Sequence, residues 1–248
     1  MIFESSPNVT YVNNEHLNKF LKDNHNSIIK TTSKIDHKLG VIIIDIKEVK
    51  NSNFITDSMF SDYSSEGEVY PVTRSGLKFD DKCNELGSNR FCTNSENLAE
   101  WLNNIIINSD AFPSSYNKNT YEGVAAYFRI MKYLKGGMHF PHYDADYKYQ
   151  PPYQNFYTAF SLIMYLSDCE SGELVFIKDT PENDKAKLDW GRQATKDEII
   201  MSVKPKVGRI VLFPHHLCHS VMKFSDDNKE RVMIRGDLIF KNNTESDL

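Results

Sequence analysis

The chain is predicted to be α+β and mainly β, with two N-terminal helices followed by a C-terminal half of short strands closed into a sandwich or barrel. Three observations predict this. Two N-terminal segments carry apolar residues at helical spacing, whereas from Val124 onward β-branched and aromatic runs alternate with turn residues. Aromatic residues make up 12% of 248, including 13 Tyr and 15 Phe, which suits pleated, half-buried surfaces. No internal repeat or low-complexity tract interrupts the pattern.

The elements follow in order. Asn13 to Asn24 places Leu17, Phe20 and Leu21 on one helical face. Lys38 to Lys47 reads as a buried strand, and Asn51 to Gly76, rich in Ser, Asp and Gly, as loop. Ser95 caps a second helix reaching Ile107, with Leu98, Trp101, Leu102, Ile105 and Ile106 forming its apolar stripe. Strands are expected at Val124–Leu134, Phe156–Leu166, Glu173–Ile177, Ile200–Val203, Arg209–Phe213, Ser220–Phe224 and Val232–Phe240. A helix layer packed on one sheet makes this one domain, 1–248. Residues 1–120 then form a support region and residues 121–241 the strand core.

Composition bounds the function. Apolar residues at 40% and charged residues at 25% are ordinary for a soluble globular protein. A net charge of -5 and a pI near 5.9 argue against nucleic acid or an acidic membrane as an obligatory partner. The N-terminus lacks a signal-peptide pattern and no segment approaches a membrane span, so a cytoplasmic location is expected. Cys83, Cys92, Cys169 and Cys218 form no CxxC pair, and four reduced thiols fit that location.

Five of eight histidines fall in two clusters, His139-Phe-Pro-His142-Tyr-Asp144 and His215-His216-Leu-Cys-His219. A His and an Asp separated by one residue project from the same face of an extended strand. One further His from another strand completes a two-His-one-carboxylate face, which leaves positions open on Fe(II) for a cosubstrate and O2. His142, Asp144 and His219 are the ligand candidates. His139 is expected to be a solvent-facing or hydrogen-bonding residue. His215 and His216 are placed in the turn after Pro214, where one could back a ligand or line the pocket rim.

In series these residues resemble the prolyl 4-hydroxylase-like group of Fe(II)/2-oxoglutarate dioxygenases. Tyr133 with Gly136, Phe140 and His142-Tyr-Asp144 is similar to that family's first iron segment. Tyr165-Leu-Ser167 followed by Gly172-Glu173-Leu-Val-Phe176 is similar to its paired strands, with Ser171 in place of a first Gly. Pro205, Gly208 and Phe213, with His219 six residues on, resemble its second iron segment, and Arg231 to Leu238 its closing strand. The likeness begins near Tyr121, with a looser one from Arg74 through the second helix. It does not reach the first 70 residues.

The resemblance implies a double-stranded β-helix (a jelly roll, or cupin-like barrel) with the N-terminal helices packed on one sheet. It implies Fe(II), 2-oxoglutarate and O2, with ascorbate as reductant, and hydroxylation of an unactivated C–H bond with release of succinate and CO2. Arg231, where the family often has Lys, would receive the distal carboxylate of 2-oxoglutarate, and Tyr133 and then Tyr165 would reach the cosubstrate. Arg235 lies on the same side of the strand as Arg231, where it would assist, bind substrate, or pair with a carboxylate such as Asp237. Asp144 keeps the carboxylate that related halogenases lack, so hydroxylation is the expected outcome.

The expected substrate is peptidyl proline or a free amino acid. Tyr147, Tyr149 and Tyr157, in a proline-stiffened stretch after the iron ligands, and Trp190, in a charged insertion, are the substrate-contact candidates. Three alternatives stand: another small molecule, an N-methyl group, and a non-catalytic cupin-like metal protein. The oligomeric state is not legible.

Overall fold

The computed structural model describes residues 15–25, 31–52, 70–71, 88–109, 111–112, 115–178, 192–226 and 229–243. Trp190, Cys83 and most of the expected Asn51–Gly76 loop lie outside these residues. The elements in chain order are α1 (Glu15–Asn24), β1 (Thr31–Asp36), β2 (Val41–Ile46), β3 (Tyr70–Pro71), β4 (Ser88–Asn94), α2 (Glu96–Ile107), β5 (Ser115–Tyr116) and β6 (Asn119–Val124). The core strands follow: β7 (Tyr127–Tyr133), β8 (His139–His142), β9 (Phe156–Tyr165), β10 (Leu174–Ile177), β11 (Ile199–Val203), β12 (Arg209–Pro214), β13 (His219–Val221) and β14 (Arg231–Lys241).

Among the described residues the strands form two sheets. The larger runs β1-β2-β12-β9-β14-β7-β4-β3, with β6 beside β14, and the smaller runs β11-β10-β13-β8. From β7 to β14 the chain therefore crosses between two facing four-stranded layers, β12-β9-β14-β7 and β11-β10-β13-β8. That antiparallel crossing pattern is a double-stranded β-helix.

Alternation along β14 explains why this strand is buried on both sides. Arg231 and Met233 point between the sheets, where Met233 packs with Tyr133, Ile163, Phe176 and Phe213. Val232, Ile234, Leu238 and Phe240 point outward, into a second core shared with the helices. Leu17, Phe20, Leu102 and Ile106 cover that outer face. The Ser95 side chain accepts the Leu98 N–H at 3.2 Å and caps α2, and the indole N–H of Trp101 donates to the Asn24 carbonyl at the end of α1.

Three details depart from the sequence reading. The run Val124–Leu134 is two strands, broken at Ala125–Ala126. There the Ala125 N–H donates to the Asp237 carbonyl and the Ala126 carbonyl accepts from Ser95, ahead of α2. The expected strand at Lys38–Lys47 has an unpredicted partner, β1, with which β2 forms a hairpin. Asp36 Oδ1 accepts the Lys38 and Leu39 N–H groups in its turn, and Gly40 takes a φ of +70° there. Asp144 stands beyond the end of β8 rather than within an extended strand.

Candidate metal centre

Strand register assembles the site. His219 begins β13 directly opposite His142, the last residue of β8. Asp144, two residues on, faces both: Oδ1 lies 3.8 Å from His142 Nε2 and Oδ2 lies 3.5 Å from His219 Nε2. The three ligand atoms fall within 4.8 Å of one another. His142 Nδ1 is 2.7 Å from the Phe140 carbonyl, and His219 Nδ1 is 2.9 Å from the Leu217 carbonyl. Only an Nδ1–H makes these bonds, so both Nε2 lone pairs are left facing Asp144, as metal ligation requires.

The electrostatics agree. Burial, followed for His219 by the charge of its neighbour His142, pulls both imidazoles below their ordinary range, His219 to about 3. Both are therefore neutral at physiological pH. Burial raises the Asp144 carboxyl, but Arg235, His219 and His142 outweigh it and hold the group well below the usual range. Arg235 pairs with Asp144 Oδ1, and the Ser161 hydroxyl donates to Oδ2. Neutral imidazoles and an ionised, oriented carboxylate fit a divalent first-row metal, Fe(II) included.

Period-two alternation sets a second pocket deeper in the barrel. Arg231 pairs in register with Tyr133, and Met233 with Tyr165, so Arg231 meets both tyrosines. Arg231 is fully buried, with its guanidinium carbon 4.8 Å from the Tyr133 ring centroid and 5.2 Å from that of Tyr165. Nη2 reaches the Tyr165 hydroxyl at 3.4 Å. Its Nε and Nη1 and the Tyr133 hydroxyl make no hydrogen bond among the described residues. An unpaired buried cation costs several kcal/mol, which a bound carboxylate offsets. These donors fit the distal carboxylate of 2-oxoglutarate.

Gly172, φ +76°, allows the approach: a Cβ there would stand 2.9 Å from Arg231 Cδ.

Residues 128–236 match the family model described as the 2OG-Fe(II) oxygenase superfamily. Over these residues the chain is similar to that superfamily. The fold is similar to that of a Pseudomonas putida prolyl-4-hydroxylase, with TM-score 0.52, 13% identity, and coverage of 90% of this chain and 98% of that one. It also matches a Trichoplax adhaerens prolyl hydroxylase solved with a hypoxia inducible factor peptide fragment (TM-score 0.52, 13% identity, 91% and 90% covered). The carbocyclase SnoK from nogalamycin biosynthesis is similar to the same extent, at TM-score 0.52, 9% identity, and 94% and 87% covered. At these identities the likenesses speak for the fold alone. No curated protein matches the sequence.

The remaining candidates divide. Tyr147 and Tyr149, with rings edge to face at 5.1 Å, line a cavity of about 450 Å³ beside Asp144 and Arg235. Tyr157 is not among the residues lining it. Its hydroxyl accepts from Asn119 Nδ2, and its ring packs 6.2 Å from Phe240 on the helix-facing side. Arg235 pairs with Asp144 rather than with the Tyr133–Arg231 pocket.

His139 is half-buried and stacks on His142 with ring centroids 4.0 Å apart. His216 is exposed in the turn, while His215 is buried between Asp146, 3.0 Å from Nδ1, and Asp237, 3.3 Å from Nε2. Burial lowers the His215 pKa, yet the two carboxylates together with Asp144 raise it overall. Ser161 and Arg129 went unassigned in the sequence, although each lies four residues before an assigned tyrosine on the same strand face.

Proposed function

We propose that the chain is a single-domain Fe(II)- and 2-oxoglutarate-dependent hydroxylase, with ascorbate as reductant and peptidyl proline or a free amino acid as substrate. His142, Asp144 and His219 hold the metal, and Arg231 with Tyr133 and Tyr165 holds the cosubstrate. One observation carries the reading. A fully buried guanidinium with two nitrogens that make no hydrogen bond among the described residues stands beside a tyrosine hydroxyl in the same condition, inside the barrel that brings the His-Asp-His group together.

When bound, Fe(II) and 2-oxoglutarate supply oxidation of a C–H bond by O2, coupled to decarboxylation to succinate and CO2. The chain's own residues bind, orient and exclude water. Asp144 offsets the metal's charge, and Arg235 and Ser161 fix its two oxygens so that the carboxylate is held in place before the metal arrives. The paired Met131 and Met233 lie between the Arg231 pocket and the layer holding Arg235, and line the path with apolar groups.

Turnover of 2-oxoglutarate with Fe(II), followed as succinate, tests the proposal. Wild type is expected to release succinate, and His142→Ala and Arg231→Ala to lose it. The prolyl or amino-acid substrate is tested by a mass gain of one oxygen in the added pool.

A further inference from the structure

Resting on the dioxygenase reading, we propose that the cavity beside Asp144 takes a free α-amino acid as its zwitterion. Arg129 binds the carboxylate, and Asp146 with Asp237 faces the ammonium group.

The cavity is separate from the cosubstrate pocket. Arg129 and Arg235 are paired across β7 and β14, four residues along from the paired Tyr133 and Arg231. Four residues of strand span about 13 Å, more than a five-carbon diacid anchored at Arg231 can reach. The Arg129 layer is therefore left for another ligand. The volume of about 450 Å³ suits a small molecule.

The charges on its wall specify which kind. Of its two guanidinium groups, Arg235 is taken by Asp144. Among the described residues Arg129 keeps a buried Nη1 without a hydrogen bond, 3.5 Å from Asp237 Oδ2, while its guanidinium carbon lies 5.0 Å from the Tyr127 ring centroid. Asp237 and Asp146 approach the two ring nitrogens of the same His215, so cation and carboxylates form one contiguous face of mixed sign. Asp146 is 60% exposed, at the cavity's outer side.

A free amino acid carries its own opposite charges on one carbon and complements such a face. A peptidyl residue has neither charge and offers Arg129 only a neutral carbonyl acceptor in place of a charge-assisted contact. Tyr147 and Tyr149 supply an aromatic wall for the side chain.

Saturation-transfer NMR on the full chain, loaded with Zn(II) and 2-oxoglutarate, tests this. One probe is an equimolar pool of the standard free amino acids, and the other is the same residues as N-acetyl methylamides. Free amino acids are expected to give the signals and the capped forms none. Arg129→Met is expected to weaken binding at least about tenfold, the loss of one charge-assisted contact. Should Arg129→Met fail to fold, Asp146→Asn at its exposed position is expected to let N-acetyl amino acids bind as well as free ones.

Equal binding of capped and free forms, no binding of any free amino acid, or unchanged affinity in the variants overturns the proposal. Succinate release with Fe(II) and no added amino acid separates the two failures. Succinate without free amino-acid binding removes only the substrate class, whereas no succinate in any pool and no 2-oxoglutarate binding removes both readings.

Discussion

Arg231 and Tyr133 stand opposite each other on paired strands of the barrel, with the guanidinium carbon 4.8 Å from the ring centroid and the tyrosine hydroxyl without a hydrogen bond among the described residues. A buried cation kept without a carboxylate partner is unfavourable for the empty protein, so its removal separates stability from binding. Arg231→Met is expected to leave the melting temperature of the metal-free chain unchanged or raised. The same variant is expected to lose about 3 kcal/mol of 2-oxoglutarate affinity, roughly 100-fold. Differential scanning calorimetry with and without 2-oxoglutarate reads both effects.

Gly172 sets the position of that arginine. Gly172→Ala places a methyl 2.9 Å from Arg231 Cδ at a φ of +76°. Backbone strain of about 1–3 kcal/mol is expected, lowering the melting temperature by about 2–4 °C per kcal/mol. Isothermal titration calorimetry is expected to show weaker 2-oxoglutarate binding with the metal affinity retained.

The Ser161 hydroxyl and the Arg235 guanidinium hold the two oxygens of Asp144. Ser161→Ala and Arg235→Gln are each expected to weaken Fe(II) binding by about 10–100-fold. Competition against a metal-sensitive dye under anaerobic conditions measures this. An unchanged metal affinity would show that Asp144 is positioned without them.

The buried histidines make the metal-free protein acid-sensitive. His219 titrates near 3 when folded and near its ordinary value when unfolded, and His142 is shifted in the same direction. Below about pH 6.5 the unfolded chain binds more protons than the folded one, so stability falls as the pH falls, down to about 3. His215, raised by Asp237 and Asp146 against its burial, works in the opposite sense: its contribution is present below that pH and lost as the pH rises through its folded value. Urea midpoints in chelator at pH 7.5 and pH 5 are expected to fall with acid, and His219→Asn is expected to flatten that fall.

The sequence made the barrel legible wherever β-branched and aromatic runs were bounded by turn residues. Strands β9, β12 and β14 carry runs whose inner and outer residues are both apolar, and the spacing of Phe213 and His219 marked the strand that faces His142. Strand β1 was hidden because its residues, Thr-Thr-Ser-Lys-Ile-Asp, are largely polar and exposed at a sheet edge. The contacts of Asp144 were hidden for another reason. Ser161 lies 17 residues away and Arg235 on the last strand, and no local pattern records which carboxylate a distant side chain will meet. The stacking of His139 on His142 was hidden too, because it accompanies a register shift within β8, where His139 and His142 pair with Val221 and His219.

The most direct measurement is succinate formation from 2-oxoglutarate by the Fe(II)-loaded chain, compared across wild type, His142→Ala and Arg231→Ala. Succinate is expected from wild type, with a loss of about 100-fold or more in both variants. No succinate and no 2-oxoglutarate binding by wild type, or turnover undiminished in Arg231→Ala, would contradict the dioxygenase reading.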